Sequence, residues 1–106
     1  MNREKPTEPR YVISIAAKML DMQTHTLRYY EKVGIITPHR SRGNIRLYSD
    51  MDISLLQKVK ALTDDMGINL PGVEVILRMM RHMSEMQNEL EEAEEEIKKL
   101  RGGESL

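Results

Sequence analysis

Cysteine, tryptophan and phenylalanine are all absent from this chain of 106 residues. Without cysteine there is no disulfide, no thiolate metal site and no redox thiol, and a reducing compartment suits the protein. No apolar run approaches the roughly 18–20 residues that a bilayer span needs, so no membrane partner is expected. The opening "MNREKPTEPR" is charged and holds Pro6 and Pro9. It does not read as a signal peptide, and residues 1–10 are expected as a flexible tail on a soluble, cytoplasmic protein. There is no Ser/His/Asp set, no carboxylate pair in an apolar stretch and no phosphate-cradling glycine loop. The chain therefore does not read as an enzyme, and no cofactor or metal is expected.

What is present is unevenly spread. The formal charge is −1, yet residues 1–48 hold nine Lys/Arg against four Asp/Glu, and residues 49–106 hold seven against thirteen. Three of the four tyrosines, Tyr29, Tyr30 and Tyr48, lie in or beside the cationic stretch His25–Asp50.

The first elements read as a pair of short helices. Ser14 is an N-cap for "IAAKML", which should bury Ile15, Ala16 and Leu20. After the tight connection "DMQT", Thr24 caps a second helix from His25 to about Val33, ended by Gly34. Two helices so joined form a helix-turn-helix pattern. Pro38 bars a helix in the next segment, and "SRGN" leading into the alternating "IRLY" predicts a β-hairpin with its tip near Arg42–Asn44. Ser49 and Asp52 are spaced as a capping box for a third helix, whose stripe Leu55, Val59, Leu62 and Met66 runs to Gly67. Asn69 caps a fourth helix with Pro71 in its first turn, and Val73, Ile76, Leu77 and Met80 should face inward.

Beyond residue 82 the pattern changes to heptads. Met83, Leu90 and Ile97 take the a positions, Met86, Ala93 and Leu100 the d positions, and the remaining positions are almost all polar. A stripe this narrow suits a two-helix coiled coil and a homodimer, with the strand direction left open by the charges. "GGESL" should then stop the helix. Met79, Met80, Met83 and Met86 around His82 read as adaptable apolar filling where helices meet, in preference to a soft-metal site.

Arg28 and Lys32 are four apart and share one face of the second helix, beside Tyr29 and Tyr30. A helix entering a major groove beside a basic hairpin accounts for that cluster, against the plainer reading of a solvated basic face. The candidate contacts are Thr24, His25, Arg28, Tyr29, Tyr30 and Lys32 on the helix, and Arg40, Arg42, Asn44, Arg46 and Tyr48 on the hairpin. Two other uses of these residues are an architectural, excisionase-like DNA-binding protein and a protein-interaction adaptor.

The segments "TLRYYEKVGIITPHR", "RGNIRLYSDMDISLLQKVKAL" and "MGINL" resemble the MerR family of bacterial transcription regulators, and "YVISIAA" and "GINLPGVEVIL" resemble its heat-shock repressor branch, HspR. The resemblance runs from about Tyr11 to His82. It implies a mainly α fold: a winged helix-turn-helix DNA-binding domain over residues 11–82, then a coiled-coil dimerisation helix over 83–101 and a C-terminal tail over 102–106. It further implies an antiparallel coiled coil, and a homodimer on an inverted-repeat operator that represses heat-shock or chaperone genes. His25, Arg28 and Tyr29 would act from the recognition helix and Arg40, Arg42, Arg46 and Tyr48 from the wing, with Arg28, Arg46 and Tyr48 on phosphates. Double-stranded DNA, a DnaK-type chaperone acting as co-repressor, and RNA polymerase are the implied partners. Ile45 departs from the family pattern, which often carries an aromatic residue there.

Overall fold

The computed structural model describes residues 5–104, which divide into two compact units, one through Ile68 and one from Asn69. The first unit begins with strand β1 (Tyr11–Val12), followed by helices α1 (Ile13–Leu20) and α2 (Thr24–Lys32). Strands β2 (His39–Arg40) and β3 (Arg46–Tyr48) and helix α3 (Asp50–Lys60) complete it.

The strand β1 has no counterpart in the sequence reading. It pairs antiparallel with β3, Tyr11 opposite Tyr48, and β2 pairs on the other side of β3, so the sheet order is β1-β3-β2. Two residues carry too little periodicity to announce a strand; the pairing with β3 makes it one. Residues 1–4 of the expected tail lie outside the described residues. From Lys5 onward the chain is tied down: Met51 N donates to Pro6 O at 2.9 Å and Arg10 N to Tyr48 O at 3.1 Å. Tyr11 Oη donates to Asp50 Oδ1 at 2.6 Å and Arg10 Nη1 to Asp50 Oδ2 at 3.0 Å, which fastens β1 to the start of α3. Those donors, Tyr11 first, hold the Asp50 carboxyl below its usual range.

Helix α1 lies at the centre of this unit and touches α2, α3, β1 and β3. It starts at Ile13 with Val12 as N-cap, so Ser14 stands inside the helix and caps nothing. Its inward face is Ala16, Ala17 and Leu20, whereas Ile15 is 45% exposed. Hydrophobicity alone favoured isoleucine over alanine. At the centre of a small unit the small side chains face inward, because they let the neighbouring elements approach closely. Asp21 ends α1 in the left-handed region with φ 52°, and Lys60 Nζ from α3 donates to Leu20 O at 2.9 Å and Asp21 O at 3.2 Å. The turn between α1 and α2 is thus held from a residue forty positions away.

Thr24 is the first residue of α2 rather than its cap, which is Gln23. Gly34 follows α2 with φ 87°, a conformation glycine reaches without a Cβ penalty. Ile35 and Ile36 are buried on the way to the hairpin. Its tip is the turn Ser41–Asn44, closed by Asn44 N donating to Ser41 O at 2.9 Å. Asn44, not Gly43, takes the left-handed position with φ 61°; asparagine tolerates that region better than other side-chain-bearing residues do.

The capping box forms as expected. Asp52 N donates to Ser49 Oγ at 3.1 Å and Ser49 N donates back to Asp52 Oδ2 at 2.9 Å. Ser49 is buried, so water cannot easily replace the lost partner. Ser49→Ala is expected to cost about 1–2 kcal/mol, read as a lower urea midpoint at unchanged slope. Helix α3 buries Ile53, Leu56 and Val59; of the expected stripe only Val59 is fully buried, Leu55 and Leu62 are partly exposed, and Met66 is exposed. A π-helical turn at Ala61–Asp65 follows Lys60. Its wider spacing turns the helix face, so a stripe extrapolated at the α period fails beyond Lys60.

The second unit is one helix, α4 (Leu70–Glu104). Asn69 Oδ1 accepts from Gly72 N at 3.0 Å, the cap expected from sequence. Val73 and Leu77 are buried, and Ile76 and Met80 partly so. The helix runs unbroken past residue 82 and through Gly102 and Gly103, which were expected to end it; residues 105 and 106 lie outside the described residues. On the single chain Met79, Met83 and Met86 are exposed. No helix among the described residues is long and apolar enough to cross a membrane.

Candidate nucleic-acid interface

On α2, Leu27 and Tyr30 turn into the core while His25, Arg28, Tyr29 and Lys32 face solvent and Thr24 is partly exposed. That division follows the 3.6-residue period: 27 and 30 share one side, and 25, 28, 29 and 32 lie on the other. Arg28 Nη1 lies 3.4 Å from Thr24 Oγ1, one turn back along the exposed face. Tyr29 is half exposed, and its ring meets that of the buried Tyr30 at 6.4 Å and 46°. Tyr30 was expected among the DNA contacts. At 6% exposure its ring is part of the core.

Tyr48 is the second correction. It was expected on phosphate, but it is fully buried at the middle strand of the sheet, and burial pushes its hydroxyl pKa up. No protein group among the described residues bonds to that hydroxyl. The alternation of "IRLY" left two possible faces, and the packing of α1 against β3 decided which residues are inside.

The wing presents Arg42 and Asn44 at its exposed tip and Ile45, exposed, beside them. Arg40 and Arg46 stand opposite each other on the paired strands β2 and β3. Both point to one carboxylate. Arg46 Nε donates to Glu31 Oε1 at 2.6 Å. Arg40 Nη2 spans both oxygens of Glu31, at 3.2 and 3.0 Å, and its Nη1 donates to Asn44 O at 3.2 Å. The hydrogen bond from Arg46 is the main reason the Glu31 pKa lies below its ordinary value; partial burial opposes it, and Arg40 adds to the lowering. Glu31 is therefore ionised wherever the protein is near neutral pH.

Sequence reasoning passed over Glu31, which lies on α2 nine residues before Arg40 and fifteen before Arg46. A carboxylate inside a cationic stretch was the available signal. Among the described residues, no group of three or more His, Cys, Asp or Glu could hold a metal ion.

The arrangement is a helix-turn-helix whose second helix carries an exposed cationic face, flanked by a hairpin with arginines on both strands. A family model described as MerR HTH family regulatory protein matches residues 11–80. Heat shock protein HspR of Streptomyces coelicolor, so named provisionally, is 42% identical over 79 residues, which are 74% of this chain and 52% of that protein. The chain thus spans about half the length of that relative. The regulator GlnR of Bacillus cereus is 30% identical over 95 residues, 90% of this chain and 73% of that one. Two crystal structures share the fold. HiNmlR, a MerR family regulator lacking the sensor domain and bound to promoter DNA, has a TM-score of 0.62 at 21% identity, over 91% of this chain and 79% of that one. A MerR family regulator from Bacillus cereus has a TM-score of 0.60 at 26% identity, over 85% and 73%. These relatives are transcription regulators, not enzymes, and the chain, matched over well more than half its length, belongs to the MerR family of helix-turn-helix DNA-binding transcription regulators.

Proposed function

We propose that the protein is a homodimeric repressor of heat-shock or chaperone genes that binds an inverted-repeat operator. The observation that carries the DNA contact is the exposed face His25, Arg28, Tyr29 and Lys32 of α2 beside the wing arginines. The recognition helix reads the major groove, and Arg28, Arg40, Arg42 and Arg46 hold phosphates. Support for the dimer comes from α4, where Met83, Met86, Leu90, Ile97 and Leu100 are all exposed at heptad spacing, with Ala93 between them. One protomer leaves that seam in water, and a second copy with the same seam covers it. Met83 to Leu100 spans about 27 Å at 1.5 Å per residue, enough to hold two recognition helices apart at successive grooves. The similarity to HspR supports the choice of target genes, and with it a DnaK-type chaperone as co-repressor.

If each protomer places three or four cations on phosphate, the dimer releases counterions from roughly 6–8 sites, and the log–log slope of affinity against salt is about −5 to −7. A slope near zero removes the DNA reading. Arg28→Ala should weaken operator and random duplex alike; a loss confined to the operator moves Arg28 into base reading. Selection of binding sites from random duplexes, followed by their location relative to promoters, separates a repressor from an architectural protein acting at recombination sites. Operator occupancy at growth and heat-shock temperatures, with and without the chaperone, tests the heat-shock assignment, which falls if occupancy never changes.

A further inference from the structure

Among the cationic groups of the candidate interface, Arg40 and Arg46 are held by the acidic side chain of α2, Glu31. Its carboxylate takes Arg46 through Nε and Arg40 through Nη2, and Arg40 also reaches the wing-tip carbonyl of Asn44. The contacts join three elements that the chain separates: the recognition helix and both strands of the wing. Glu31 is the least exposed of the three side chains, at 21% against 26% for Arg46 and 37% for Arg40. Neither terminal nitrogen of Arg46 takes part in its contact with Glu31, so both stay available to another acceptor.

A carboxylate at a surface that must meet phosphates carries an electrostatic cost, since its charge repels the ligand. We infer that Glu31 is a positioning residue for DNA binding: it fixes the wing arginines Arg40 and Arg46 in one arrangement relative to the recognition helix, so that helix and wing meet the duplex in a single register. The inference rests on the DNA-binding reading above. Its physical basis is preorganisation. A free arginine side chain has several rotatable bonds, and ordering it on a phosphate costs conformational entropy; an arginine already ordered by Glu31 has met that cost on folding. One carboxylate shared by two guanidiniums leaves the cluster with net positive charge, so the arginines remain phosphate ligands while held.

The sign of one measurement separates positioning from plain charge. Glu31→Gln removes a negative charge from the interface. If Glu31 contributes only its charge, the variant binds a short duplex of random sequence several-fold more tightly, with an unchanged salt slope. If it positions the arginines, affinity falls about tenfold and the slope becomes shallower by about 1–2, because phosphate contacts are lost. The same substitution made on an Arg40→Ala, Arg46→Ala background should then no longer weaken binding. Binding is compared between folded proteins, checked by circular dichroism. Should Glu31→Gln not fold, Glu31→Asp keeps the charge but shortens the reach, and the same loss of affinity and slope is expected. Tighter or equal binding by either folded variant overturns the inference, and so does an undiminished loss on the arginine-free background. A parent protein that shows no salt-dependent binding to duplex DNA overturns the DNA-binding reading itself, and this inference with it.

Discussion

Leu90→Lys is expected to convert the protein to a folded monomer. Leu90 is the central a position of the heptad stripe and is 53% exposed on α4. In the proposed dimer the substitution places a charge from each chain in an apolar seam, where neither has a partner. The seam has little reserve, because Ala93 and two methionines fill it and Glu89, Glu94 and Glu96 flank it. Sedimentation should give half the parent mass. Circular dichroism should show the first unit intact, since residues through Ile68 carry their own core. Operator affinity should fall by about a hundred- to ten-thousandfold, because the two half-sites no longer bind as one linked ligand. An undiminished dimer would show that the seam assignment is wrong, whatever happens to DNA binding.

Tyr48 should produce the second large effect, and its two variants should behave oppositely. It is among the largest fully buried side chains and sits at the middle of the sheet. Tyr48→Ala leaves a cavity there and should cost about 3–5 kcal/mol, a large share of the stability of so small a unit. Tyr48→Phe keeps the packing and removes a buried hydroxyl that no described protein group bonds, so its stability should equal or exceed the parent's. Urea titration measures both. DNA affinity of Tyr48→Phe is expected to match the parent; a clear loss in the folded variant would return the hydroxyl to the phosphate-contacting role that the family resemblance implied.

Local rules were enough wherever one short segment settled the matter. The capping box of Ser49 and Asp52, the Asn69 cap with Pro71 behind it, the break at Gly34 and the hairpin tip near Asn44 all depend on residues within four positions of one another. The helix-turn-helix and the basic hairpin were legible for the same reason, and the heptad stripe was legible because it repeats. The exposed side of α2 follows from its period once Leu27 and Tyr30 are inside.

By itself, then, the sequence determined the order of the helices and the hairpin, the winged helix-turn-helix class, most of the exposed cationic side chains of α2 and the wing, and the exposed heptad stripe on α4. Tertiary structure alone decided which faces are inside. Ile15 lost its place to Ala16 and Ala17 because close approach at the centre favours small side chains, and Tyr48 was buried because α1 packs against β3. It also decided every contact between distant residues: β1 on β3, Lys60 at the turn after α1, and Glu31 between Arg40 and Arg46. The physical reason is common to these cases. Propensity, capping and periodicity act over a few residues and leave their mark in the order of the chain, whereas burial and ion pairing depend on which surfaces meet in space, and that is settled only when the whole unit folds.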